Sequence, residues 1–475
     1  MKKLILPILF ALCTLNFALA QDAARMQWFK DARLGIFIHW GIYAVNGIDE
    51  SWSFYNEYLP YEDYMKQLQG FTASNYDPEA WAKLINESGA KYAVMTTKHH
   101  DGVALWDTKA SDLSVAIKTP AGRDLVGPFC KALRAEGLKV GLYYSLLDWS
   151  NPDYPNFTKT RKRYERDSIP ARWENFTRFN KSQITELMTR YNPDLFWFDG
   201  DWEHSAENWH AAEIRQMILD NNPNAIINSR LAGYGDYATP EQGIPVVKPK
   251  DDCWELCMTV NDSWGYQPND RDYKPVNLII RIFADVIGMG GNLLLDIGPK
   301  ADGTIPEEQV RILEELGRWT AKHAEAIYGT KAGIPKDCYA GPSTLSRDST
   351  ILYLFVPGNG KFQIPDSKFQ TNSKSQTNKS SNHQTDKSSN PPIPQPSNPI
   401  VLPSYSLTVL LKGITNKVAA AWVVGNGTKL EQTTWLKPWW SGNPGLITIE
   451  IPAEAMDEQM TIIAVQLEGK IALKF

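Results

Sequence analysis

Three acidic residues stand where a carboxyl group could act on a bound molecule. Asp199 closes the aromatic run 195–198, and Gly200 after it lets the backbone turn and a ligand approach. Glu241 lies in a loop rich in Gly and Pro, and Glu255 opens another apolar run. Two carboxyl groups, one attacking and one donating a proton, are the groups that cleave glycosidic bonds. Asp199 could instead cap the next helix, and the pattern does not choose between Glu241 and Glu255.

His99 and His100 form a second polar cluster beyond an apolar run. They could ligate zinc, but neighbours in a strand point to opposite faces, so we expect no metal site there. Hydrogen bonding to hydroxyl groups suits them better because imidazole both donates and accepts, although one of the two could be a core residue. Other polar and aromatic residues lie at the ends of apolar runs in the same way: His39, Tyr144, Trp197, Arg230 and Trp264.

Apolar runs alternate with helix-like segments from residue 32 to about residue 329. Uninterrupted apolar runs are typical of strands buried on both faces, as in parallel sheets. The segments between them have helix signals, such as Asp77-Pro78 before an apolar stripe. The alternation predicts a (β/α)8-like barrel over 21–335, with functional residues at the carboxyl ends of its strands. A doubly wound sheet is the alternative, but no Gly-rich dinucleotide turn follows the first run.

The pattern changes near residue 336 to apolar or alternating runs separated by Gly and Asn turns. This change predicts a C-terminal antiparallel β-sandwich over 336–475. Within it, residues 366–400 are rich in Ser, Asn, Gln, Thr and Lys and then in Pro. Such a composition lacks the apolar groups that offset the entropy of ordering, so we expect a disordered insertion.

The N-terminus has the pattern of a signal peptide over residues 1–20. Lys2 and Lys3 precede an apolar run that is too short to span a bilayer, and Ala18-Leu19-Ala20 matches a cleavage site. We therefore expect an exported protein, periplasmic or secreted, with no membrane span after cleavage. The formal net charge of -5 without a basic block excludes nucleic acid as a natural partner. Of the five cysteines, four follow the signal peptide, and their spacing specifies no disulfide.

In these motifs the chain resembles the α-L-fucosidases of glycoside hydrolase family 29. The matching stretches follow one another along the predicted barrel: residues 28–41, 92–102, 197–200, 254–257, 263–266 and 291–299. The resemblance implies a (β/α) barrel with a C-terminal β-sandwich and no metal or cofactor. It also implies exo-acting hydrolysis of α-L-fucosides with retention, through a covalent fucosyl-enzyme, so the expected partners are fucosylated glycans.

The resemblance also implies roles for single residues. Asp199 becomes the nucleophile and Glu241 the acid/base, with Glu255 held in reserve. Glu50 and Trp52 depart from the family spacing because Ser51 stands between them. The implied fucose site consists of His39, Glu50, Trp52, His99, His100, Tyr144, Trp197, Arg230 and Trp264.

Three alternatives stay open at this point. A barrel that binds sugar without cleaving it is one, and a metal-dependent hydrolase using His99 and His100 is another. The third is a retaining glycosidase for a related sugar such as an α-L-galactoside.

Overall fold

The structure, a computed structural model, describes residues 24–358, 406–437 and 439–474. Its first part is built on a curled sheet of seven parallel strands, in the order β5-β4-β3-β2-β1-β7-β6. The strands are β1 (Leu34–Ile38), β2 (Tyr92–Lys98), β3 (Lys139–Ser145), β4 (Leu195–Asp199), β5 (Ile226–Ile227), β6 (Glu255–Thr259) and β7 (Asn292–Ile297). Nearly all of their residues are buried, as continuous apolar runs covered on both faces require.

An irregular segment, residues 236–242, closes this sheet between β5 and β6. The amide of Ser229, just beyond β5, donates to the carbonyl of Tyr237 at 2.9 Å, and the amide of Cys257 in β6 donates to the carbonyl of Pro240 at 3.1 Å. Pro240 has no amide hydrogen of its own, which interrupts regular pairing. The predicted (β/α)8-like barrel is therefore confirmed, with this segment in the position of the eighth strand.

Helices cover the outside of the barrel. Asp77 begins one of them as predicted, because its carboxylate accepts a hydrogen bond from the amide of Ala80 at 2.9 Å. Residues 24–32 are helical, and the α-helices that follow are Trp52–Tyr55, Tyr61–Met65, Pro78–Glu87, Val115–Lys118, Val126–Ala135, Pro170–Tyr191, Ala206–Trp209, Ala211–Asn221, Val276–Gly288, Glu307–Lys322 and Ala324–Ile327. Short 3-10 helices are Ile42–Ala44, Lys66–Gly70, Arg166–Ser168, Asp201–Glu203 and Ala453–Ala455.

Two antiparallel sheets form the C-terminal part, and this confirms the predicted sandwich. The three-stranded sheet, in the order β11-β14-β13, consists of β11 (Leu407–Lys412), β13 (Gln432–Trp435) and β14 (Leu446–Ile451). The five-stranded sheet, in the order β12-β15-β10-β9-β8, consists of β8 (Lys331–Ala332), β9 (Ser343–Leu345), β10 (Ile351–Pro357), β12 (Val418–Val423) and β15 (Met460–Leu467). Buried side chains of both sheets, such as Leu354, Ile449 and Ile463, share one apolar core.

The outer face of the five-stranded sheet packs on the barrel. Phe355 and Ile462 of this sheet are buried in the same apolar cluster as Trp319 and Phe283 of two barrel helices. The indole of Trp319 also donates to the carbonyl of Met460 at 2.9 Å. The sheet is therefore buried on both faces.

Several sequence expectations concern other parts of the chain. The signal peptide at 1–20 and the insertion at 366–400 lie outside the described residues. Among the residues that are described, no helix is both long and apolar enough to cross a membrane. Four described cysteines, Cys130, Cys253, Cys257 and Cys338, are buried free thiols.

Candidate active site

A cavity of about 350 Å³ opens where the barrel strands end. Functional sites of (β/α) barrels lie at this face, because the loops after the strands converge there. The lining includes most of the residues singled out from the sequence: His39, Glu50, Trp52, His99, Trp197, Asp199, Arg230, Glu241 and Trp264. Phe37, Tyr143 and Trp202, which were not singled out from the sequence, complete it. Of the sequence-predicted residues, Tyr144 and Glu255 do not line the cavity, and His100 lies beside it, next to Asp199.

Asp199 is the last residue of β4, and its carboxylate faces the cavity. Tyr143 donates to its Oδ2 at 3.0 Å, and Arg230 Nη1 donates to its Oδ1 at 2.9 Å. The next residue, Gly200, has φ +84°, and a Cβ there would lie 2.5 Å from Leu147. Glycine thus makes the turn that leaves the carboxylate at the strand end. The helix-cap alternative is wrong, because the 3-10 helix after it begins at Asp201 without a side-chain cap.

Arg230 joins the two carboxylates of the cavity. Its Nη2 donates to Glu241 Oε2 at 2.6 Å while Nη1 holds Asp199, and its guanidinium lies 4.7 Å from the centre of the Trp197 ring. Burial opposes its charge, yet the neighbouring carboxylates raise the pKa of Arg230 above its usual range. A permanent positive charge therefore holds both acidic groups on one side of the cavity.

Glu241 and Glu255, which the sequence did not separate, differ in their access to the cavity. Glu241 lies on the segment 236–242, opposite Cys257, with its side chain 40% exposed at the cavity. Glu255 begins β6 and is fully buried in the barrel interior, where Trp197 Nε1 donates to its Oε1 at 3.0 Å and the hydroxyl of Tyr92 to its Oε2. Burial raises the pKa of Glu255 to about 7.

His39 and His99 present neutral imidazoles to the cavity. His39 Nδ1 binds Asp296 Oδ1 at 2.6 Å, and His99 Nδ1 binds the hydroxyl of Ser51. Burial lowers the pKa of both rings well below the usual range. With Nδ1 occupied, Nε2 is the nitrogen of each ring that can address a ligand.

The expectation that His99 and His100 point to opposite faces is wrong. Their ring centres are 4.2 Å apart, because the pairing of β2 with β3 shifts register between Thr96 and Lys98 and the strand ends before His99. His100 lies beside Asp199, with Nδ1 at 2.6 Å from Ser145 Oγ and Nε2 at 3.6 Å from Asp199 Oδ2. In the described ranges, no three His, Cys, Asp or Glu side chains are grouped to hold a metal ion.

The placement of Tyr144 in the cavity is also wrong, and the position belongs to Tyr143. In the pairing of β3 with β4, Tyr143 stands beside Trp197 and Tyr144 beside Phe198. Trp197 lines the cavity, so its neighbour Tyr143 does too, since side chains of adjacent strands at one level share a face. Tyr144 points outward, where its hydroxyl bonds Asn180 at 2.8 Å. Alternation along β4 puts Asp199 and Trp197 on one face, and the sequence shows this. It does not show how β3 aligns with β4, so it could not choose between Tyr143 and Tyr144.

Glu50 and Trp52 line the cavity despite the residue inserted between them. Glu50 is buried and accepts a hydrogen bond from the amide of Gly265 at 2.6 Å, and burial raises its pKa to about 7. Trp52 meets the ring of His100 edge to face at 5.5 Å. The inserted Ser51 contributes to the site, because its hydroxyl forms a hydrogen bond with Nδ1 of His99.

The family model for alpha-L-fucosidase matches residues 15–325 of this chain. The chain belongs to the alpha-L-fucosidase family. This membership confirms the resemblance drawn from the motifs, and it makes the protein a glycoside hydrolase.

Individual relatives of the alpha-L-fucosidase family agree with this assignment. Alpha-L-fucosidase of Dictyostelium discoideum is 32% identical over 71% of this chain and 78% of its own length. The solved structure of alpha-L-fucosidase isoenzyme 1 from Paenibacillus thiaminolyticus has a TM-score of 0.76 at 33% identity, over 94% of this chain and 100% of that one. A trapped covalent intermediate of a Bacteroides thetaiotaomicron alpha-L-fucosidase with 2-fluoro-fucosyl fluoride has a TM-score of 0.73 at 26% identity, over 94% and 96%.

Proposed function

We propose that this family member is an exo-acting, retaining α-L-fucosidase. One observation carries the proposal: Asp199 and Glu241 face one cavity and share the guanidinium of Arg230. Retaining enzymes hold their two carboxyl groups about 5–5.5 Å apart, whereas inverting enzymes leave about 6.5–9.5 Å for a water molecule. Two carboxylates bound to one guanidinium favour the shorter separation. A cavity of about 350 Å³ is at the small end of ligand sites, which suits one terminal sugar.

In the first step, a carboxylate oxygen of Asp199 attacks the anomeric carbon of the fucosyl group. The bond from that carbon to the glycosidic oxygen breaks, and its electron pair stays with the oxygen, which takes the proton of Glu241. The positive charge that develops on the sugar is stabilised by the adjacent carboxylate of Asp199. Tyr143 and Arg230 hold this carboxylate in place, so little reorganisation accompanies the attack.

In the second step, Glu241 acts as a base. It takes a proton from a water molecule whose oxygen attacks the anomeric carbon, and the bond to Asp199 breaks with its electron pair returning to the carboxylate. Two inversions at one carbon give net retention. Both residues return to their starting protonation states.

Recognition of the sugar divides between polar and aromatic walls of the cavity. His39 and His99 offer neutral imidazole nitrogens, which can donate to or accept from hydroxyl groups. Phe37, Trp197 and Trp264 supply apolar surface, and burial of one methyl group of a deoxy sugar contributes about 0.8 kcal/mol.

We assign the acid/base role to Glu241 rather than Glu255. Glu241 lines the cavity and is partly exposed, as a group that exchanges protons with a leaving group and water must be. Glu255 has a raised pKa, but it lies at the start of its strand with both oxygens held by Trp197 and Tyr92. A raised pKa alone does not make an acid catalyst when geometry keeps substrate away.

The deciding experiment is covalent trapping. Incubation with 2-deoxy-2-fluoro-α-L-fucosyl fluoride, followed by proteolysis and mass spectrometry, should place the label on Asp199. The Asp199→Asn variant, which keeps the shape of the side chain, should take no label. Label on another carboxylate would overturn the nucleophile assignment, and no hydrolysis of p-nitrophenyl α-L-fucoside by the wild type would favour a sugar-binding protein. Hydrolysis of the α-L-galactoside in preference to the fucoside would point to that related sugar.

We also propose that the protein is exported, with the barrel over 21–335 and the sandwich over 336–475. The N-terminal pattern supports export, and the two antiparallel sheets support a second unit, which β8 (Lys331–Ala332) joins from just before residue 336 through its pairing with β9. N-terminal sequencing of the mature protein should begin at Gln21. A first residue of Met1 would overturn the cleavage.

A further inference from the structure

Trp202 lies at the rim of the cavity and is exposed to an unusual degree for its type. Its side chain is 53% exposed, whereas Phe37, Tyr143 and Trp197 in the same lining are buried. An exposed large aromatic group next to a ligand cavity marks a surface that a ligand covers. The Trp202 ring is nearly parallel to that of Trp52, at 15° with centres 6.3 Å apart.

The backbone that carries Trp202 is anchored on both sides. The carboxylate of Asp201 accepts a hydrogen bond from the amide of Ala232 at 2.9 Å. The carboxylate of Glu203 accepts from Asn156 at 2.6 Å and from the hydroxyl of Tyr154. The indole is therefore presented on a rigid turn, which reduces the entropy lost when a ligand stacks on it.

The turn that carries Trp202 lies where the leaving group would bind rather than where the fucosyl group would bind. The loop that receives Asp201 at Ala232 also carries Arg230, which binds the proposed proton donor Glu241. The glycosidic oxygen must lie beside that donor during bond cleavage. The part of the glycan beyond this oxygen then leaves the cavity across the rim, where Trp202 stands.

We propose, resting on the proposed function, that Trp202 is a specificity-determining residue that stacks on the sugar ring to which the fucose is attached. The ligand class is a pyranose in the leaving-group position, recognised through its apolar C–H face by the exposed face of the indole. Trp202 thereby favours fucosylated oligosaccharides over fucosides with small leaving groups.

The test compares Trp202→Ala with the wild type on leaving groups of different size. The substrates are α-L-fucosyl fluoride, whose leaving group is too small to reach the indole, and the fucosyl disaccharide that the wild type cleaves fastest among 1→2, 1→3, 1→4 and 1→6 linkages to galactose and N-acetylglucosamine. We expect kcat/KM for the disaccharide to fall about three- to tenfold more than that for the fluoride, as an aromatic contact to the leaving group predicts. Trp202→Phe, which keeps a flat ring, should recover most of the loss.

Trp435→Ala is the matched control, because Trp435 is 57% exposed on β13 of the C-terminal sandwich. It should leave both substrates unchanged. Equal losses on fluoride and disaccharide in Trp202→Ala would assign a merely structural role and overturn the inference alone, as would an unchanged disaccharide rate. A wild type that cleaves neither substrate would overturn the proposed function and the inference with it.

Discussion

Tyr143 donates a hydrogen bond from its phenol to Asp199 Oδ2 at 3.0 Å, across the pairing of β3 with β4. Because Arg230 engages the other oxygen of this carboxylate, the two contacts fix its orientation toward the cavity. Hydrogen bonds to charged groups contribute about 1.5–3 kcal/mol. The variants considered below distinguish groups that act in the cavity from groups that only support it.

Tyr143→Phe should lower kcat/KM on p-nitrophenyl α-L-fucoside by about 10- to 100-fold, since the loss of one such hydrogen bond misorients the nucleophile. Tyr144→Phe is the matched control, because its hydroxyl bonds Asn180 behind the barrel wall. We expect it to lower the melting temperature and to leave kcat/KM within a few-fold of the wild type. A larger loss of activity in Tyr144→Phe than in Tyr143→Phe would contradict the placement of the two side chains.

Chemical rescue separates the two candidate acids. Glu241→Ala should lose activity on natural linkages, and azide should restore turnover of an activated fucoside with an α-fucosyl azide product, because azide replaces the water that Glu241 activates and the second inversion restores the α configuration. Glu255→Ala should show no azide product, because Glu255 has no access to the cavity. Rates with and without azide and the stereochemistry of the product by NMR decide the matter. An α-fucosyl azide from Glu255→Ala alone would reverse the assignment.

The buried carboxyl of Glu255 should make stability depend on pH. Its pKa is about 7 in the folded protein and about 4.3 in an unfolded chain. Between these two pKa values the folded state holds a proton that the unfolded state has released. The contribution of protonated Glu255 to the free energy of unfolding is therefore fully present below about pH 4 and is lost as the pH rises through 7.

Glu255→Gln keeps the shape but cannot ionise, so its stability relative to the wild type should improve by about 2–3 kcal/mol between pH 5 and pH 8. Denaturant midpoints and melting temperatures of both proteins at the two pH values measure the difference, in which other titrating groups cancel. A difference that is constant with pH would show that Glu255 ionises freely in the fold.

A buried ion pair lies next to the two histidines, and replacing only one of its partners should destabilise the fold. Lys98 Nζ lies 3.5 Å from Asp148 Oδ2, with both side chains almost fully buried. Lys98→Met should destabilise the fold by about 3–5 kcal/mol because it strands a buried carboxylate, and adding Asp148→Asn should recover part of the loss. The exposed pair of Lys417 and Glu468 is the control, and Lys417→Met should leave the stability of the fold nearly unchanged, because water screens this pair. If the double variant proved no more stable than Lys98→Met, the two charges would not be coupled.

The sequence sufficed for the barrel and for residues at strand ends, because apolar runs and the polar groups after them are local patterns. Asp199, His39 and Arg230 were located in this way. The prediction that Tyr144 lies in the cavity was wrong. Which side of β3 faces inward depends on its pairing with β4, a contact between distant parts of the chain. The expectation that His99 and His100 point to opposite faces was wrong because the register shift before Lys98 breaks the alternation that the argument assumed.

The acid/base candidates show a different limit. Glu241 looked like a loop residue because Pro240 and nearby glycines interrupt the apolar pattern, yet the segment pairs with both neighbouring strands. Glu255 stayed a candidate because the sequence does not show that Trp197 and Tyr92 hold both oxygens of its buried carboxyl group. Nothing in the sequence sets Trp202 apart, and only its exposure at the rim distinguishes it from the buried aromatic residues around it.

The attachment of the C-terminal sheet to the helices around Trp319 bears on how the enzyme can be engineered. Removing that sheet would expose the apolar surface of these helices to water, so a truncated catalytic unit should aggregate. Grafting a foreign module in place of the native one would succeed only if it reproduced the lost contact area. Redesign of specificity is therefore better confined to the loops at the cavity rim, because these loops do not cover the apolar surface around Trp319.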